Sequence, residues 1–166
     1  MARPPKIKAS GFLPEGAAAA IRRVANKALG LAMLVLAAVL AAALFGFTPG
    51  DPSFNIAADR AAGNPLGRPG SILADLMLQA LGLAALLPPA ALAVYGLRLG
   101  FTGAGPSRPW LRLLSLIAAA WLLAVALGPF PLPIAWSLPA GAGGFLGRVP
   151  LDWVTRLGGP GLTTPV

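Results

Sequence analysis

The sequence predicts an all-α integral membrane protein, a bundle of three transmembrane helices followed by a broken, partly interfacial helical segment. Three observations carry this. Apolar runs free of charge occupy 28–47, 76–97 and 113–127, and about 20 such residues cross a hydrocarbon core of about 30 Å. Hydrophobic residues make up 57% of the chain and charged residues 11%, whereas soluble domains carry about 25% charge. The basic residues flank the apolar runs and do not cluster on one face, so the net charge of +8 reads as membrane topology rather than a nucleic-acid surface.

Residues 1–27 form a basic cytoplasmic tail, with Arg3, Lys6, Lys8, Arg22, Arg23 and Lys27 against the single acid Glu15. Pro4, Pro5 and Pro14 keep its first half extended, and 15–27 is expected as a helix running into the membrane. The tail's cations read as topology signals before specific lipid recognition. The first span is 28–47. It is too long for a secretory h-region, and Phe45-Gly46-Phe47-Thr48 is a poor cleavage site. Alanines 37, 38, 41 and 42 give small-xxx-small spacing, a weak packing signal in so alanine-rich a chain.

A periplasmic loop, 48–70, follows, with Pro49 and Pro52 stopping the helix and Gly50-Asp51 suited to a turn. The second span, 71–97, is expected to start with Ser71 as N-cap and Asp75 as an anion in its first turns. A kink is expected at Pro88-Pro89. A basic cytoplasmic loop, 98–112, leads to the third span, 113–127, extended at its interfacial end by Trp110 and Leu111. The periplasmic segment 128–166 is rich in Gly and Pro, with a short interfacial helix at 151–157, Trp153 inward and Asp152 and Arg156 outward. Lys and Arg number nine on 1–27 and 98–112 but four on 48–70 and 128–166 (Arg60, Arg68, Arg148, Arg156), which places the N-terminus in the cytoplasm.

Two stretches echo each other: Gly67, Gly70, Asp75 and Gly82, then Gly144, Gly147, Asp152 and Gly158. The first opens the second span. By analogy the second opens a fourth span near the present C-terminus, so the chain is expected to stop short of its natural end.

Several chemistries have no seat here. The chain holds no Cys and no His, which removes disulfides, thiol nucleophiles, the usual zinc sites and imidazole catalysis. No phosphate-loop motif occurs. No cofactor, metal or catalytic residue is expected. Asp75, with Gln79 one turn on, is the intramembrane polar candidate, read first as a helix-start anion. In the loop, Asp51, Pro52 and Phe54 are the candidate partner-binding residues, a proline turn presenting an aromatic at the membrane surface.

Three runs resemble the N-terminal membrane domain of FtsK/SpoIIIE-type DNA translocases. They are the loop Thr48-Pro49-Gly50-Asp51-Pro52-Ser53-Phe54, the helix entry Asn64-Pro65-Leu66-Gly67-Arg68-Pro69-Gly70 with Ala74-Asp75, and Gly143-Gly144-Phe145-Leu146-Gly147. The resemblance covers roughly 20–160. It implies a four-helix membrane domain, of which the fourth helix is missing here, anchoring a DNA translocase at the division septum of the bacterial inner membrane. It also implies a role in cell division and chromosome segregation. The expected partners are the lipid bilayer, divisome membrane proteins and further copies of the chain. Direct nucleic-acid binding and ATPase activity are not expected of it. The rival reading is a small transporter or channel subunit, with Asp75, Gln79 and the Pro88-Pro89 kink lining a path.

Overall fold

The computed structural model describes residues 15–105, 107–131, 138 and 140–157. The expectations for residues 1–14 and for Gly158 lie outside them. Among the described residues there is no strand. The elements are α1 (Glu15–Phe45), α2 (Gly67–Leu81), a 3₁₀ stretch (Gly82–Leu86), α3 (Leu87–Thr102), α4 (Pro109–Leu127) and α5 (Gly144–Leu157).

Three helical stretches are long and apolar enough to cross a membrane: Gly16–Phe45, Gly67–Thr102 and Pro109–Leu127. Their large apolar side chains, such as Leu31, Val35, Ile117 and Leu122, point away from the bundle. In water such a surface would be an aggregation patch; in hydrocarbon it is simply solvated. Backbone polar groups in the interior of a helix are satisfied within the helix, which the bilayer demands.

Residues 15–27 of the tail and the first span to Phe45 form one helix. The 31 residues of α1 rise about 46 Å, more than the hydrocarbon requires. The excess lies at the N-terminal end, with Arg22, Arg23 and Lys27. Along α1 the buried positions Gly30, Ala37 and Leu44 recur every seven residues, the spacing of a helix–helix seam. The partner on that seam is α3, antiparallel: a Cβ on Gly30 would sit 2.7 Å from the Gly96 carbonyl oxygen and 2.8 Å from the Gly100 nitrogen. The closest approach on this seam is made by glycines, and of the alanine set at 37, 38, 41 and 42 it is Ala37 that lies on the seam. Of those four, Ala37 is buried and Ala38 is exposed.

The second apolar stretch is not a single helix kinked at Pro88-Pro89. It breaks earlier, at Gly82, whose φ of 57° is a conformation that L side chains rarely adopt. The freed Leu83 N–H donates to the Ala142 carbonyl at 2.9 Å. The prolines sit in the first turn of α3, where a helix has no use for their missing donors. On the far side of the break, α2 packs against Ala43 and Leu44 of α1 and against Phe47 just beyond it. Ala43, Leu44, Ala74, Leu78 and Ala85 form the core, with Phe47, Leu73 and Met77 packed around it. α2 thus closes over the end of α1, while α3 runs alongside it.

At the other end, Gly103 ends α3 in the left-handed conformation, its N–H donating to Leu99 O at 2.9 Å, a common helix stop. α4 begins at Pro109, earlier than 113, so Trp110 and Leu111 belong to the helix as expected. α5 also begins early, at Gly144 and not at 151. Its glycines are its contact face: a Cβ on Gly147 would sit 2.6 Å from the Ala124 carbonyl carbon. Asp152 and Arg156 are exposed as expected, and Trp153 is exposed beside them at 65%, because the face of α5 packed on the protein is Gly144 and Gly147.

The echoed motif is structural. Gly67 and Gly144 open α2 and α5 with φ of 65° and 63°. The two copies also meet: a Cβ on Gly144 would lie 2.5 Å from Gly82 N and 2.7 Å from the Ala80 carbonyl carbon.

Candidate functional site

The loop between α1 and α2 is short of regular structure yet held at many points, and Asp51 is the centre of the holding. Asp51 N–H donates to Thr48 O at 3.0 Å, closing the turn that Gly50-Asp51 suggested. The Asp51 side chain is 4% exposed. Its Oδ1 accepts from Gly63 N at 3.0 Å and its Oδ2 from Asn64 N at 3.1 Å. Arg60 lies 3.6 Å from Oδ1 and also donates through Nε to Gly50 O at 3.1 Å. Because Arg60 is mostly exposed, the ion pair adds little; the two backbone bonds to a buried carboxylate carry more.

Asn64 forms the second pin. Its Nδ2 donates to Ala43 O at 2.8 Å, one of the carbonyls left free at the end of α1. Its Oδ1 accepts from Leu66 N at 3.1 Å, an Asx turn that leads into α2. Ser71 is the third pin. It is not the N-cap of the helix, because α2 has already begun at Gly67; its Oγ donates to Pro52 O at 2.7 Å, with Arg68 O at 2.9 Å.

A fourth connection is polar and runs along α2. Gln79 Nε2 donates to Asp75 Oδ1 at 2.7 Å, and Asn55 Nδ2 donates to Gln79 Oε1 at 2.9 Å. Asp75 is 4% exposed and lies well inside α2, so it is not a helix-start anion at an interface. Asp75 and Gln79 come together as their spacing predicts, and they spend their hydrogen bonds on each other and on the loop.

The loop candidates therefore divide. Asp51 and Pro52 are buried and fix the shape, whereas Phe54 is 72% exposed at the outer turn that Ser53 N–H closes onto Ile56 O at 3.0 Å. Beside Phe54 is a cavity of about 460 Å3 lined by Pro52, Ser53, Ile56, Asp59, Arg60 and Arg68 among others. Neither this cavity nor the bundle cavity described below is lined by Asp75, Gln79 or Pro88-Pro89. Sequence reasoning missed Asn64, Ser71 and Arg60 as parts of the loop; the readable signal was Asn64-Pro65 with Gly67 behind it, a turn initiator ahead of a glycine that opens a helix. Among the described residues no group of His, Cys, Asp or Glu is placed to hold a metal.

Residues 22–163 match the family described as the 4TM region of DNA translocase FtsK/SpoIIIE. A DNA translocase FtsK of Brucella melitensis is 39% identical over 145 residues, covering 84% of this chain and 16% of the relative. One from Agrobacterium fabrum is 36% identical over 118 residues, 71% of this chain and 13% of the relative. One from Caulobacter vibrioides is 36% identical over 126 residues, 74% and 15%. The chain thus spans about one sixth of the length of the curated relatives it matches, and the ATPase motor of the family is not covered by it. No solved structure matches the chain. With its apolar helices, its pinned loop and its paired glycine motifs, this multi-pass membrane chain belongs to the FtsK/SpoIIIE family of DNA translocases and corresponds to that family's membrane-spanning region.

Proposed function

We propose that the chain is the membrane anchor and divisome-interaction module of an FtsK-like DNA translocase, acting in cell division and chromosome segregation. The observation that carries the reading is the loop: Asp51, Asn64 and Ser71 fix its backbone, and Phe54 stands out of it. A fixed loop loses little entropy when a partner binds, and an exposed aromatic on it is the kind of side chain that anchors interfaces. The partner would be a divisome membrane protein presenting an apolar pocket on the periplasmic side. The second half of the surface would come from 128–166, of which 132–137, 139 and 158–166 lie outside the described residues.

A fluorescently tagged copy is expected to concentrate at mid-cell in dividing bacteria. Phe54→Ala is expected to lose that enrichment while remaining in the membrane at the same level. Truncating an interface anchor costs about 2 kcal/mol, roughly a 30-fold loss of affinity. Uniform labelling by the unaltered chain, or mid-cell enrichment unchanged in the variant, would refute the proposal.

In this reading the N-terminus is cytoplasmic and the loop periplasmic. The absence of cysteine makes the orientation directly measurable. In intact cells a membrane-impermeant maleimide is expected to label Ala57→Cys and to spare Ser107→Cys, both positions being exposed. The opposite pattern would invert the topology and end the argument that the loop meets periplasmic partners.

A further inference from the structure

At the end of the bundle away from the loop, α1, α3 and α4 line a half-open cavity of about 370 Å3, in the size range of small-molecule sites. Its walls are apolar, Leu29 and Met33 of α1, Leu92 of α3 and Leu116 of α4, and its polar lining includes Asn26 and Arg112. Asn26 is held by donating through Nδ2 to Gly103 O at 2.7 Å. The Arg112 guanidinium lies 5.4 Å from the centroid of the Tyr95 ring, a cation–π contact that holds the charge at the cavity. Among the described residues the one ion pair is Arg60 with Asp51, so none of their carboxylates pairs with Arg112.

The charge around the cavity has one sign. The Arg23 stem packs on Gly103, its Cγ 2.8 Å from where a Cβ would stand, and Arg22, Lys27, Arg98 and Arg108 are exposed on the same helix ends and connection. The described acids are elsewhere. Asp51, Asp59 and Asp75 belong to the loop and α2, and Asp152 belongs to α5, which packs on α2, the 3₁₀ stretch and α4 but touches neither α1 nor α3. Glu15 opens α1 about 16 Å of helix rise from Asn26.

We infer that this cavity is a binding site for one anionic phospholipid, with an acyl chain between α1, α3 and α4 and the phosphodiester at Arg112. The order of the groups is that of the lipid itself, apolar depth and cationic mouth at one end of a membrane-spanning bundle. Any lipid supplies the chain; only an anionic headgroup leaves a net charge for the surrounding cations. A single cation near the surface favours an anionic lipid about five-fold, so a preference of that order or greater is expected. The inference does not depend on what the loop binds.

The test is native mass spectrometry of the whole chain in detergent, equilibrated with equal amounts of phosphatidylglycerol and phosphatidylcholine. One phosphatidylglycerol is expected to stay bound at least five-fold more than phosphatidylcholine. Arg112→Gln is expected to abolish the preference, and Arg156→Gln, on exposed α5, to keep it. Leu92→Trp retains every cation but fills the cavity, and is expected to lose the bound lipid. Glycerophosphoglycerol, the headgroup without chains, is expected not to displace it. Equal retention of the two lipids by the unaltered chain would overturn the inference. So would full retention in Leu92→Trp, or displacement by the headgroup alone, since either makes the attraction a surface effect. Should Arg112→Gln fail to fold, the Leu92→Trp and headgroup measurements still decide.

Discussion

Gly96→Leu is expected to part α1 from α3 and to lower stability in detergent by about 3 kcal/mol or more. The Cβ alone would stand 2.8 Å from Gly30 O, 2.9 Å from Leu34 Cγ and 3.1 Å from Leu34 N. Two of these are backbone atoms, which cannot rotate away, so the helices themselves must separate. Separation forfeits the van der Waals contact that holds membrane helices together in place of a hydrophobic effect. Even Gly96→Ala is expected to destabilise: helix propensity favours alanine by about 1 kcal/mol, but overpacking costs about 1–3 kcal/mol, and the steric effect wins. Gly100 provides the contrast. A Cβ there meets nothing within 4 Å, so Gly100→Ala is expected to be neutral or to stabilise by up to about 1 kcal/mol. Thermal unfolding of the two alanine variants side by side is the measurement. Equal midpoints would show that the seam is not closely packed.

The second large effect is expected at Asp51. In Asp51→Ala the amides of Gly63 and Asn64 lose their acceptor, and the Asn64 amide is in a buried bond. Hydrogen bonds to a charged group contribute about 1.5–3 kcal/mol and unsatisfied buried donors cost about 1–3 kcal/mol. A local loss of about 2–4 kcal/mol follows, less than a simple sum because the loop relaxes. Hydrogen exchange at Gly63 and Asn64 is expected to quicken roughly 30-fold or more, while amides along α1, α3 and α4 keep their protection. Asp51→Asn retains one acceptor oxygen and is expected to fall between. Protection at Gly63 and Asn64 unchanged in Asp51→Ala would mean that the loop is held by Asn64 and Ser71 without it.

What was legible in the sequence follows from which forces are local. Apolar length is a property of the chain, so the membrane-spanning stretches and the all-helical class were readable. Turn chemistry is nearly local, so Gly50-Asp51 and the basic lead-in to α1 were readable too. The break in the second stretch was misplaced because proline advertises a missing donor, whereas Gly82 becomes a break through the Ala142 carbonyl, sixty residues away. Ser71 looked like a cap because it stands before an apolar run, which outweighed the Asn64-Pro65 turn that opens the helix four residues earlier at Gly67. Asp51, Pro52 and Phe54 were picked as one group, yet Phe54 is surface and the other two are support, a distinction set by the Gly63 and Asn64 amides folding back onto the carboxylate. The glycine seam at Gly30 and Gly96 was hidden by the abundance of alanine, and only the antiparallel register of α1 and α3 reveals it.

The place where Gly82 and Gly144 touch is peptide against peptide, with Leu83 N–H fastened to Ala142 O. A joint of this kind has no side-chain rotamers to absorb displacement, so it acts as a stiff coupling and not a cushion. A displacement of the loop between α1 and α2 would therefore pass through α2 to the start of α5. A single methyl group added at this contact, on Gly82 or on Gly144, would force the start of α5 away from the end of α2.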